Sequence, residues 1–167
     1  KFPDGRNDRV IVCEDLVEAY EKFFEFCRQN PQVYNGFPAG NVFYLQGLKT
    51  MAYEAYMDIG NVPDWVVIPC GSGGNIVAQY QGFSDLKRMG ISKKMPRFAS
   101  VQITGADPIT VGYASGSEKA VVLEDVRESE AGAIASDTCF NYTKIMRILK
   151  GTGGTAVSVS DDEIRSS

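Results

Sequence analysis

Residues 65–75 read Trp65-Val66-Val67-Ile68-Pro69-Cys70-Gly71-Ser72-Gly73-Gly74-Asn75, a short apolar run followed by a glycine-rich turn. The next stretch, Ile76 to Met89, contains no proline and places apolar residues at helical spacing, which predicts a helix. In a strand–loop–helix order, the first backbone N–H groups of the helix have no partner within the helix and point into the loop. Together with the positive end of the helix dipole, they predict a binding site for a phosphate group.

The composition of the 167 residues is that of a folded domain and argues against several classes of function. Apolar residues make up 44% and charged residues 23%, so the chain can form a hydrophobic core. The net charge of −4, without a run of Lys and Arg, argues against a nucleic-acid-binding surface. No stretch reaches the roughly 18 consecutive apolar residues of a membrane span, and the first residues do not resemble a signal peptide. We therefore expect a cytoplasmic protein with neither a nucleic acid nor a membrane as partner.

The chain contains no histidine and four cysteines. The lack of histidine excludes Ser-His-Asp and Cys-His triads and most catalytic zinc sites, and we expect no metal. The cysteines form no C-x-x-C pair, which favours buried, reduced thiols at Cys13, Cys27, Cys70 and Cys139. Any chemistry must therefore use Lys, carboxylates, hydroxyl groups or a cofactor.

The spacing of apolar residues predicts helices that alternate with short strands. Strands are expected at 10–12, 65–69, 98–103 and 155–159, and helices at 14–28, 47–59, 74–89 and 141–150. Residues 30–46 are expected to form a loop, while residues 106–135 are ambiguous because glycines interrupt any long period. The alternation predicts an α/β fold with an open, mostly parallel sheet and helices on both faces.

The last residues of the chain carry a helix-start signal. Ser160-Asp161-Asp162-Glu163 has the pattern of a capping box, with Ser at the cap and Glu three residues later. The predicted helix would have few residues, and so short a helix is marginal by itself. We therefore expect residues 1–167 to form a single α/β domain that is an interior piece of a longer protein.

The glycine loop fits a single phosphate better than a nucleotide. A dinucleotide fingerprint needs a third glycine where the chain has Ile76, and the Gly-Lys-Ser/Thr of a P-loop does not occur. Ser72 would supply a hydroxyl, and Asn75 an amide that either fixes the loop or contacts the ligand. Two other interpretations remain open: a tight turn without a ligand, and Asn75 as a helix cap.

The stretch from Pro63 to Asn75 resembles the phosphate loop of fold-type II pyridoxal-phosphate enzymes, among which the threonine synthases are most similar. The resemblance extends over most of the chain from about residue 34 onward. It includes Leu45-Gln46-Gly47-Leu48-Lys49-Thr50, Gly82-Phe83, Val101-Gln102, Gly153-Gly154 and Val157 to Ile164. It implies part of a tryptophan synthase β-like fold, pyridoxal 5'-phosphate as cofactor, and a two-domain enzyme that converts O-phospho-L-homoserine and water into L-threonine and phosphate.

The resemblance also implies roles for individual residues. The cofactor phosphate would be held by Gly71, Ser72, Gly73, Gly74 and Asn75. An amino-acid substrate would face Asn35, Asn41 and Lys49. No residue is expected to be catalytic, because two family segments are missing: the lysine segment similar to Pro-Thr-x-Ser-x-Lys-Asp and a late Thr-Gly-x-Gly. We expect the chain alone to be inactive and to need the rest of the enzyme as partner; a homo-oligomer remains open.

Several alternatives remain beside these assignments. Lys49 could be a solvated or anion-facing lysine, and Cys70 a small packed side chain rather than a reactive thiol. The second glycine cluster, residues 151–155, resembles a phosphate loop of some relatives, but it follows a predicted helix and is interpreted as a helix stop. Rival functions are a serine/threonine dehydratase, a cysteate synthase, a non-catalytic α/β module and a nucleotide-binding module.

Overall fold

Three parallel strands form the sheet of this chain in a computed structural model that describes residues 10–14, 16–38, 41–126 and 129–167. The strands are β1 (Trp65–Pro69), β2 (Arg97–Ile103) and β3 (Thr155–Val159), in the order β1-β2-β3. The helices are α1 (Leu16–Gln29), α2 (Val42–Leu48), α3 (Thr50–Ile59), α4 (Gly74–Arg88), α5 (Pro108–Ser115), α6 (Tyr142–Thr152) and α7 (Asp161–Ser166), with a 3₁₀ turn at Gly132–Ile134. Two compact units divide the chain: Lys1–Gly36 contains α1, and Phe37–Ser167 contains the other elements.

The α/β fold with a parallel sheet is confirmed, and the three strands after residue 60 form where the sequence predicts them. The strand predicted at 10–12 is wrong, because these residues are irregular in the structure. Part of the loop predicted at 30–46 is instead α2. Its start depends on Asn41, whose side chain accepts hydrogen bonds from the N–H groups of Phe43 and Tyr44, the usual means of satisfying the first donors of a helix.

Aromatic packing fixes α4 on one face of the sheet. Phe98 of β2 is fully buried, and the rings of Tyr80 and Phe83 meet it edge-on, with centroids 5.9 and 6.4 Å away. Burying an aromatic side chain contributes about 2–3 kcal/mol through loss of apolar surface from water. This contact holds the middle of α4 against the sheet, while its beginning follows the carboxyl end of β1 through the glycine loop.

The opposite face of the sheet is buried at its centre and exposed at its β1 edge. Ala99 and Ile103 of β2 are buried, whereas Trp65 and Val67 of β1 are exposed. Trp65 instead carries the guanidinium of Arg97 over its ring, 5.4 Å from the centroid. The apolar composition of β1 therefore reflects burial on one face only.

Three predicted helix boundaries are confirmed, whereas the helix predicted at 47–59 is divided between α2 and α3. At the start of α7 the Ser160 hydroxyl accepts from the N–H of Glu163, and the Ser160 N–H donates to the Glu163 carboxylate at 2.8 Å. Gly60 and Gly153 take left-handed conformations after α3 and α6, so the second glycine cluster is a helix stop.

Among the residues described, no helix combines the length and apolar content needed to cross a membrane.

Candidate phosphate-binding site

The loop between β1 and α4 turns the chain sharply at one glycine. The last sheet hydrogen bond runs from the Cys70 N–H to the carbonyl of Val101 (2.8 Å), and Gly74 already begins α4. Between them Gly73 adopts a left-handed conformation with φ +79°. A Cβ there would lie 2.2 Å from the Cδ1 atom of buried Ile145. The left-handed backbone conformation therefore favours glycine strongly, and any larger residue would also have to displace the end of the Ile145 side chain.

Six consecutive backbone N–H groups surround this turn without an acceptor among the described residues. In the part of the chain that the structure describes, the N–H groups from Gly71 to Ile76 donate no hydrogen bond, and the first bond of α4 is from Val77 to the Gly73 carbonyl (3.4 Å). Gly73, Gly74 and Ile76 are buried residues, and buried donors are rarely left unpaired. Unpaired donors at the positive end of a helix bind anions, so a phosphate group fits this donor set.

The two polar side chains of the loop differ in their contacts. Ser72 is exposed, so its hydroxyl can turn toward a ligand. The Oδ1 of Asn75 accepts a hydrogen bond from the Nε2 of Gln79 (2.9 Å), one turn further along α4. Gly73 occupies the N-cap position, so the alternative in which Asn75 caps the helix is wrong.

Asn141, at the N-cap of α6, fixes the outer part of the loop and was not singled out from the sequence. Its backbone N–H and its Nδ2 both donate to the Ser72 carbonyl, at 3.2 and 3.1 Å. Asn141 is almost fully buried whereas Ser72 is exposed, so these bonds are partly shielded from water. The contact joins residues 69 positions apart, and no local pattern in the sequence could have revealed it.

The two cysteines near the loop are packed side chains rather than nucleophiles. Cys70 and Cys139 are buried and carry free thiols. Burial raises the pKa of Cys70 to about 11, and burial together with the neighbouring Cys70 raises the pKa of Cys139 to about 12. The thiols are therefore protonated near neutral pH, which confirms the packed alternative for Cys70. Cys13 and Cys27 are free but only half-buried, contrary to the expectation of burial.

Lys49, predicted to face a substrate, lies in the contact between α3 and α4. Its ammonium is 2.7 Å from a carboxylate oxygen of Asp85, and the Tyr53 hydroxyl donates to the same oxygen at 2.8 Å. Arg88 pairs with the other oxygen. Lys49 therefore faces an anion supplied by the protein itself, and a role toward substrate stays a prediction.

The two predicted asparagines belong to different units of the chain. Asn41 is the N-cap of α2, within the same unit as the glycine loop. Asn35 is an exposed residue of the first unit. The structure thus joins residues 71–75 in one loop, while the substrate-facing role of both asparagines stays a prediction.

Replacing Asp85 with asparagine is expected to lower the free energy of unfolding and to make it depend less on pH in the acidic range. The Lys49 hydrogen bond is the main reason that the pKa of Asp85 falls from 3.8 to about 2 in the folded protein. Because the pKa is lower in the folded than in the unfolded protein, ionised Asp85 stabilises the fold. This contribution is complete above about pH 4 and is lost as the pH falls toward 2. Asp85→Asn should lower the free energy of unfolding by about 1–2 kcal/mol at pH 7. Between pH 4 and 2, the free energy of unfolding of this variant should fall less than that of the original protein.

Denaturant unfolding at several pH values measures this effect. Asp58→Asn is the control, because Asp58 is an exposed residue of α3 and such changes stay within about 0.5 kcal/mol. Equal losses in the two variants would show that the Lys49–Asp85 pair does not stabilise the fold.

Comparison with known families identifies the class of protein. The family described as "Pyridoxal-phosphate dependent enzyme" matches residues 6–167. The chain belongs to this family, and the predicted cofactor, pyridoxal phosphate, is that of the family. Among characterised relatives, the chain is 38% identical to the threonine synthase of Methanosarcina acetivorans over 125 residues, and 33% identical to that of Methanocaldococcus jannaschii. Each match covers 74% of this chain and 31% of the relative, so the chain spans about a third of these enzymes.

Solved structures support the same fold. Maize serine racemase superposes with a TM-score of 0.67 at 18% identity, over 89% of this chain and 43% of that one. The threonine deaminase isoform 2 of Solanum lycopersicum gives a TM-score of 0.64 at 18% identity, over 89% of this chain and 40% of that one. At such identities the likeness shows the fold alone.

Proposed function

We propose that this chain is part of a threonine synthase-type enzyme in which the loop from Gly71 to Asn75 binds the phosphate of pyridoxal 5'-phosphate. The reaction would convert O-phospho-L-homoserine and water into L-threonine and phosphate, as a lyase of amino-acid biosynthesis in the cytoplasm. The observation that carries the proposal is the row of six unpaired N–H groups at the start of α4. The similarity to threonine synthases over three quarters of the chain supports the choice of reaction.

The part played by this chain is to hold and orient the cofactor. When bound, pyridoxal phosphate supplies an electron sink for negative charge that develops on the substrate. The loop N–H groups and the Ser72 hydroxyl would bind the phosphate, while Asn141 keeps the loop in position. Rigid attachment of this kind aligns reacting groups, and misplacement by about 1 Å can reduce rates about a hundredfold.

The lysine that reacts with the cofactor is proposed to lie outside these 167 residues, in the remaining part of a two-domain enzyme. We expect the chain alone, mixed with pyridoxal phosphate, to give no lasting absorbance from a lysine adduct. The intact gene product should instead give an adduct that borohydride traps, and peptide mapping should place it outside residues 1–167. Specific trapping on Lys49 would contradict this assignment.

The reaction itself is tested with the intact gene product and O-phospho-L-homoserine. Equal release of threonine and inorganic phosphate is expected. Conversion of serine or threonine into a keto acid and ammonia, without phosphate release from phosphohomoserine, would favour the dehydratase alternative instead.

A further inference from the structure

The side chain of Gln102 connects the glycine loop to the start of α5. Gln102 lies on the central strand β2 and is fully buried. Its Nε2 donates to the Cys70 carbonyl at 3.0 Å, while its Oε1 accepts from the N–H groups of Ile109 and Thr110 at 2.8 and 3.2 Å. Because one partner can only accept and the other two can only donate, the orientation of the amide is fixed by its contacts.

The Cys70 carbonyl has no second donor in the part of the chain that the structure describes. In a planar trans peptide, the carbonyl of one residue and the N–H of the next point in opposite directions. Holding the Cys70 carbonyl toward Gln102 therefore directs the Gly71 N–H away from Gln102 and toward the loop side. Asn141 acts in the same way on the peptide between Ser72 and Gly73. It binds the Ser72 carbonyl and so sets the direction of the Gly73 N–H.

We propose that Gln102 is a positioning residue of the phosphate site, which orients the Gly71 N–H by holding the Cys70 carbonyl. The proposal rests on the proposed function, because it assigns the loop to a phosphate group. It goes beyond a purely structural role, in which Gln102 would only satisfy the first donors of α5. The two roles use different atoms of the same amide, Nε2 for the loop and Oε1 for the helix, so they can be separated by substitution.

Gln102→Glu separates the two roles because a carboxylate keeps the acceptor for α5 and removes the donor for the loop. The N–H groups of Ile109 and Thr110 stabilise the ionised form, so we expect a carboxylate at pH 8. It would face the Cys70 carbonyl without a proton between them, and the peptide would lose its anchor. Burial raises the pKa of a carboxyl group, and once protonated the group can donate to the carbonyl again. The defect should therefore disappear as the pH falls, which loss of the α5 contact alone would not produce.

The measurement is the affinity of the intact gene product for pyridoxamine 5'-phosphate, which carries the phosphate but cannot react with lysines. We expect Gln102→Glu to bind about 10- to 100-fold more weakly than the original protein at pH 8. The ratio of the two affinities should approach one near pH 5.5; using the ratio removes the ionisation of the ligand itself. Gln102→Met should be weak at every pH, and Gln32→Glu, an exposed residue of the first unit, should match the original protein.

A second measurement needs no ligand. Alkylation of Cys70, followed by mass spectrometry, should be several-fold faster in Gln102→Glu than in the original protein at pH 8, because the loop opens locally. Circular dichroism of the same samples is the control, since general unfolding would also lower the helix content. Cys139 cannot serve as a control, because its sulfur lies close to Gly73 of the same loop. An affinity ratio that is independent of pH, together with an unchanged alkylation rate of Cys70, would overturn the positioning role.

The outcomes also separate this inference from the proposed function. If the original protein binds pyridoxamine as tightly as pyridoxamine 5'-phosphate, the loop does not bind phosphate and the proposed function fails. The alkylation rates then decide by themselves whether Gln102 holds the loop.

Discussion

Gly73→Ala is expected to lower stability by about 2–4 kcal/mol and to weaken binding of the cofactor phosphate about a hundredfold. The new methyl group would lie 2.2 Å from Cδ1 of Ile145 and 3.2 Å from the Cys139 sulfur. Ile145 is fully buried, so the end of its side chain would have to turn within the packed core to make room. The residue must also keep φ near +79°, which a side chain with a Cβ disfavours. Relief of either strain would move the N–H groups on both sides of position 73.

Gly60→Ala separates the two parts of this effect. Gly60 has nearly the same backbone conformation, with φ +75°, but no atom lies within 4 Å of the position that a Cβ would take. It should therefore lose about 1 kcal/mol from the backbone alone, and its phosphate affinity should not change. Denaturant unfolding and calorimetric titration with pyridoxamine 5'-phosphate measure both quantities. If the two variants behave alike, packing against Ile145 does not determine the shape of the loop.

Gly154→Ala is expected to cost more than about 3 kcal/mol, the largest loss of stability among these substitutions. A Cβ at this position would lie 2.1 Å from the carbonyl oxygen of Phe98. Phe98 belongs to the central strand, whose backbone is paired with β1 and β3 on either side. The strand cannot move aside without breaking those pairs, so the clash must be relieved by separating β3 from the sheet.

Gly151→Ala is the matched control for Gly154→Ala, because it lies in the same glycine cluster but within α6 and with open space around it. It should gain about 0.5–1 kcal/mol, since alanine favours a helix over glycine. Thermal or denaturant unfolding should thus show opposite signs for two glycines three residues apart. A weakened affinity for pyridoxamine 5'-phosphate in a still-folded Gly151→Ala protein would instead point to the second cluster as a ligand site.

The sequence predicted those strands, turns and helix caps that depend on residues close together in the chain. The apolar run 65–69, the glycine spacing after it and the capping box at Ser160 each depend on short-range chemistry, and each is present in the structure. The strand predicted at 10–12 rested on three apolar residues alone, and these side chains are exposed. Apolar composition was insufficient there, because a strand is stable only when a neighbouring strand satisfies its backbone.

The partners of the loop could not be predicted in the same way. Asn141 and Ser72 are brought together by packing of α6 beside the loop, and Lys49 meets Asp85 through the contact of α3 with α4. Such contacts depend on the tertiary arrangement rather than on spacing. The sequence therefore located the candidate site, whereas the residues that hold it in shape emerged only from the fold.

Main-chain donors give the proposed site a simple response to acid. Amide N–H groups neither gain nor lose protons across the physiological range, in contrast to lysine or histidine ligands. Binding of a phosphate group by the N–H groups of residues 71–76 should accordingly follow the second ionisation of the phosphate, near pH 6. The proposed loop, in a chain segment without histidine, would in this way bind phosphate about equally well at any pH well above 6.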